Sequence, residues 1–239
     1  MNDVRADTSA RPRPHPPVSG APRPARGTLY RDMRSAVGDI RAALGEIDIY
    51  LFDQLLRGRI GPQDTVLDAG CGFGRNLVAP LQMGCHVLAA DADADAVAEV
   101  RRLAADLAPA LPGSNFRCEP VERLSFDDRC ADVVISSAVL HFARDDDQFD
   151  AMVRALWRCL RPGGLLFCRL ATSIGADLVG ARRLEGRRHR LGDGTTRYLA
   201  DEAQLMDYTA ALGGDLADPL KTTIVQGQRC MTTWVVRRR

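Results

Sequence analysis

Eleven residues constrain this chain more than any others: Val66-Leu67-Asp68-Ala69-Gly70-Cys71-Gly72-Phe73-Gly74-Arg75-Asn76. An apolar run stops at an acid and enters alternating glycines, the pattern of a strand, a turn and the start of a helix. Glycines at 70, 72 and 74 remove β-carbons, so the backbone can take positive φ and approach a bound molecule closely. Dinucleotide sites also place a glycine turn after a strand, but a G-x-G-x-x-G spacing counted from Gly70 needs glycine where this chain has Arg75. Asp68 at the strand tip would repel a pyrophosphate docking on the following helix and attract a cation. The expected ligand lies against main chain and carries positive charge near Asp68.

This D-x-G-x-G-x-G stretch after an apolar strand resembles the first motif of class I S-adenosylmethionine-dependent methyltransferases, and its Gly74-Arg75-Asn76 continuation is similar to the tellurite-resistance-type branch. The resemblance covers about residues 60 to 239. It implies an α/β fold: a Rossmann-like, seven-stranded, mostly parallel sheet with an antiparallel C-terminal hairpin and helices on both faces. It also implies S-adenosyl-L-methionine as cofactor, with its ammonium facing Asp68 and its amino acid and ribose ends on Gly70, Cys71, Gly72, Gly74 and Asn76. Asp91 ends a second apolar strand, so its carboxylate shares a crevice with the tip of the first; by the resemblance it accepts the ribose hydroxyls, beside Ala92. Glu119 matches the family's adenine-side aspartate with one methylene more, Pro120 follows as a ring wall, and Ser136 stands at the end of the fourth strand. His141, just beyond that strand, is a candidate general base because an unperturbed imidazole titrates near neutrality. The N/D-P-P-Y tetrapeptide is missing there, which argues against adenine amines and glutamine amides as acceptors.

The rest of the chain sets bounds. At 239 residues and 46% hydrophobic content there is enough chain for one α/β domain. A net charge of +1 provides no global field for nucleic acid or anionic membrane. Seven scattered cysteines with no C-x-x-C pair read as reduced core residues of a cytoplasmic protein, and four ungrouped histidines offer no metal site. Residues 1–27 hold six of the thirteen prolines and almost nothing apolar, so they read as a disordered tail; residues 28–239 form the domain, with a helical cap over 28–58. A helix over 75–83 should be short or kinked at Pro80, and a clean amphipathic helix follows at 145–160. Residues 171–199 are aperiodic and carry Arg182, Arg183, Arg187, Arg188 and Arg190; they are expected to form a mobile cover that selects a small anionic or polar acceptor. The functional expectation is methyl transfer to a small molecule. Two alternatives stand beside it: a non-catalytic cofactor-binding module, and an aminopropyl transferase, whose polyamine would want acids where this segment has arginines. The sequence specifies no oligomeric state.

Overall fold

The computed structural model describes residues 39–239; the expected tail and the cap up to residue 38 lie outside the described residues. Five strands, β1 (Thr65–Ala69), β2 (His86–Asp91), β3 (Phe116–Cys118), β4 (Ala131–Ser137) and β5 (Leu160–Ala171), run parallel. Three short strands follow, β6 (Arg182–Glu185), β7 (Arg188–Arg190) and β8 (Thr196–Tyr198), forming a separate antiparallel sheet. The chain closes with β9 (Gly214–Leu216), β10 (Lys221–Val225) and β11 (Arg229–Arg238), of which β11 runs antiparallel to β5, β9 and β10. The main sheet reads β10-β11-β5-β4-β1-β2-β3, with β9 beside β11 as an eighth, short strand. Strand order therefore reverses at β1, which pairs with β2 on one side and β4 on the other. In open α/β sheets a crevice for ligands opens at the carboxyl ends of the strands at such a switch point.

Alternation along the strands sorts residues between two cores. Val66, Val87, Ala89, Val133, Ile135, Leu165 and Phe167 pack with the helices α1 (Ile49–Leu56), α2 (Val78–Met83) and α3 (Ala94–Leu107). Leu67, Leu88, Val134, Leu166 and Cys168 pack instead against α4 (Asp146–Cys159) and α5 (Glu202–Ala211). By the same parity Asp68, Ser137 and Arg169 fall on the face of α1 to α3. That parity brings three polar residues together at the strand tips.

Two local expectations are corrected. The helix after the glycine loop starts only at Val78, so Pro80 lies in its first turn, where a missing N–H leaves no bond broken. Residues 171–199 are not an aperiodic cover: much of the segment is the β6–β8 sheet, whose strands of three or four residues are too short to show a period. Within the described part of the expected cap, residues 39–44 are helical and a turn at Gly45 (φ 62°) precedes α1. Asp48 caps α1 by accepting the Tyr50 N–H at 2.9 Å. Among the described residues no helix is long and apolar enough to cross a membrane, and no group of three His, Cys, Asp or Glu is placed to hold a metal.

Candidate active site

A cleft of about 820 Å³ opens at the switch point, lined by Gly70, Cys71, Gly72, Asn76, Asp91, Ala92 and Pro120 among the expected residues. Two glycines work differently there. A β-carbon on Gly70 (φ 82°) would stand 2.4 Å from Val139 Cγ2, whereas one on Gly72 (φ 50°) would meet nothing within 4 Å. Gly70 thus permits close packing of the loop on the β4 side, and Gly72 presents bare main chain to open space. The Gly72 N–H donates to Asp91 Oδ2 at 2.8 Å, and Asp91 Oδ1 accepts the Asp93 N–H at 3.0 Å. Each oxygen keeps a free lone pair, so the carboxylate can still receive two further donors, such as vicinal hydroxyls.

Four of the expected cofactor residues are not on the cleft wall. Asp68 is 1% exposed and neither carboxylate oxygen has a hydrogen-bond partner. Burial pushes its pKa up to about 7, with Arg75 opposing and Asp91 adding to the rise. An unpartnered carboxylate beneath the loop fits a ligand bearing a cation, which would favour its ionised form. Gly74 packs toward Leu103 and Val100 of α3. Glu119 turns away, accepting Ser125 N–H at 2.9 Å and Ser125 Oγ–H at 2.7 Å, while Glu122 lines the cleft. Ser136 is fully buried with its hydroxyl unpartnered, and its neighbour Ser137 reaches the cleft, as strand alternation requires.

Ser137 belongs to a network that sequence reading did not assemble. The buried Asp48 carboxylate takes Arg75 at 3.4 Å, Arg169 at 3.1 Å and the Ser137 hydroxyl at 3.3 Å, and the Asp48 N–H donates to Asn76 Oδ1 at 3.0 Å. Asp48 is 28 residues from Asn76 and 121 from Arg169; only the fold joins them.

A second cavity of about 320 Å³ adjoins the first, and Arg75, Ala138 and Phe142 line both. Ala138 sits in the left-handed region (φ 65°) directly after β4, a conformation that costs an alanine roughly 1 to 2 kcal/mol and recurs at functional sites. His141 lines this second cavity, not the cleft. Its Nδ1 accepts the Ala171 N–H at 3.0 Å, and burial, reinforced by Arg197, Arg229 and Arg169, lowers its pKa to about 4. At neutral pH the ring is therefore uncharged with its proton on Nε2, and no lone pair remains to take a proton from an acceptor. In this geometry His141 offers the cavity a donor, where the expected general base needs a free lone pair. Of the arginines expected to select the acceptor, Arg182, Arg183, Arg187, Arg188 and Arg190, none lines this cavity: Arg183 bonds to the Gly186 carbonyl and Arg187 pairs with Asp201. The segment still contributes a wall through Leu191, Asp193, Thr195 and Arg197.

Residues 67–168 match the methyltransferase domain family. That stretch of the chain is a methyltransferase domain. The match begins in β1 and ends in β5, enclosing the glycine loop, Asp91 and the strained end of β4. The cypemycin N-terminal methyltransferase of a Streptomyces species is 34% identical to it over 105 residues, 43% of this chain and 40% of that one. The malonyl-[acyl-carrier protein] O-methyltransferase of Enterobacter lignolyticus is 32% identical over 152 residues, 64% of this chain and 55% of that one. The chain thus spans about half the length of these curated relatives. The Burkholderia thailandensis 1,6-didemethyltoxoflavin-N1-methyltransferase, solved with 1,6-didemethyltoxoflavin and S-adenosylhomocysteine, shares the fold: TM-score 0.61 at 20% identity over 92% of each chain.

Proposed function

We propose that this methyltransferase domain transfers the methyl group of S-adenosylmethionine to a small-molecule acceptor. The observation that carries the reading is the pair of adjoining cavities, about 820 and 320 Å³, meeting at Arg75, Ala138 and Phe142. The larger suits a nucleoside-sized ligand with its glycine loop, and the smaller is at the low end of small-molecule pockets.

Bound there, the cofactor supplies an already activated sulfonium methyl, so that the protein's part is alignment and exclusion of water. Bare backbone at Gly72 and the side chain of Asn76 would hold its amino acid end, with Asp68 as the ionisable partner of its ammonium. Asp91 would receive the ribose hydroxyls, and Pro120, Val121 and Glu122 would flank the adenine. Ala138, held at positive φ, shapes the boundary across which acceptor and donor meet.

The reading is tested by measuring S-adenosylhomocysteine formation with a panel of small acceptors, alongside calorimetric binding of the cofactor. Asp91→Ala should weaken cofactor binding by about 1.5 to 3 kcal/mol, the scale of hydrogen bonds to a charged group. Unchanged affinity in the folded variant would remove Asp91 from the site, and tight binding without turnover on any acceptor would make the domain a binding module.

A further inference from the structure

We propose that the second cavity anchors the acceptor by a carboxylate, so that the substrates of this domain are small organic acids with an apolar body; this rests on the methyl-transfer reading above. Four guanidinium groups converge there, those of Arg75, Arg169, Arg197 and Arg229. They face two carboxylates. Asp48, behind the cavity, is shared by Arg75 and Arg169, and Asp193 stands 3.8 Å from Arg229. Two positive charges are left without a countercharge.

Arg197 is the least satisfied of the four. Among the described residues it forms no ion pair; its Nη1 donates to the Thr196 carbonyl at 2.9 Å, and its guanidinium lies 4.6 Å over the Phe142 ring. The contact with Phe142 holds the guanidinium over the ring while leaving other donors free, the arrangement that suits a planar carboxylate. Arg169 adds a buried Nε with no hydrogen-bond partner. The neutral His141 presents a donor and no charge of its own, which keeps the site receptive to an anion without repelling the cations around it.

Apart from Thr195, the remaining walls are apolar: Ala138, Phe142, Ala171, Leu191 and Met231. An inorganic ion would leave these walls unused, whereas a carboxylate on a short hydrocarbon or aromatic body fills both parts of the cavity. A guanidinium-bound carboxylate is a poor nucleophile, so it acts as the anchor. The accepting atom lies elsewhere on the body, toward the boundary at Ala138 and the cleft beyond.

Benzoate, its neutral isostere benzamide, and inorganic phosphate can each be titrated calorimetrically into the full chain, with and without S-adenosylhomocysteine. Benzoate is expected to bind, benzamide at least tenfold more weakly, and added salt to weaken only the benzoate complex. Arg197→Gln with Arg229→Gln should weaken benzoate at least tenfold and leave S-adenosylhomocysteine affinity intact. Arg182→Gln with Arg183→Gln should match wild type in both. If the double variant is unstable, Arg197→Gln alone carries the test, because Arg197 forms no ion pair among the described residues and Asp193 keeps Arg229 beside it. Equal binding of benzamide, tighter binding of phosphate, or unchanged benzoate affinity in the Arg197 variants would each overturn the proposal. Loss of S-adenosylhomocysteine binding in the wild type would instead sink the methyl-transfer reading, while the titration without it still reports on the anion site.

Discussion

At the scale of single residues, two buried titratable groups near the site pull stability in opposite directions. Asp68 is raised from 3.8 to about 7, so between those values the folded chain holds a proton that the unfolded chain releases, and stability falls as pH rises. His141 is lowered from 6.5 to about 4, so between those values unfolding takes up a proton and stability falls as pH drops. Each slope is about 1.4 kcal/mol per pH unit, and over about pH 4 to 6.5 they cancel. Asp68→Asn should therefore uncover a loss of stability on acidification from pH 6.5 to 4.5 that wild type does not show, and His141→Gln should uncover the reverse. Chemical denaturation at a series of pH values decides it; parallel curves for wild type and Asp68→Asn would mean that Asp68 ionises normally in the fold. Neither shift was legible in the sequence. Asp68 is chosen by its place before the glycines, but burial and the absence of a partner are properties of the packed strand, and the His141 tautomer follows from a backbone N–H thirty residues away.

At the scale of elements, the β1 to α2 connection separates packing from ligand approach. Gly70→Ala forces a methyl into Val139 at a left-handed backbone position, which should cost about 2 to 5 kcal/mol from overpacking and strain together. Gly72→Ala meets only open space, so it should cost about 1 to 2 kcal/mol of strain and act mainly by holding a ligand away from the main chain. Urea denaturation and cofactor calorimetry on the two variants should give opposite rankings; equal effects on both measurements would merge the roles of the two glycines. The glycine loop and the long helix α4 were readable because each pattern is local: alternate glycines in one case, and an apolar stripe through Phe149, Met152, Val153 and Leu156 in the other. The β6–β8 sheet was not, since its strands bury few residues and hold together by pairing between strands. The direction of the Glu119 side chain was hidden for a related reason: Ser125 captures it, and a motif position does not reveal that competitor.

At the scale of the whole molecule, the Asp48 carboxylate joins both cavities. It is the shared countercharge of Arg75, which walls the two of them, and of Arg169, which walls the smaller. An acceptor anion arriving at these arginines changes the field felt in the cleft, and linkage requires that whatever one ligand does to the other's affinity is returned in full. The sulfonium of the methyl donor carries a charge that its demethylated product lacks. An anion across the boundary should therefore tighten the donor more than the product, by about 1 kcal/mol for partly screened charges at such separations. Calorimetry of S-adenosylmethionine and S-adenosylhomocysteine with and without benzoate measures this; an unchanged ratio of the two affinities would mean that the cavities are electrically independent. With the ratio shifted as expected, Arg75 and its buried partner are the means by which a loaded acceptor retains fresh donor and lets spent product go, a sorting of one ligand by the charge of another with no moving part.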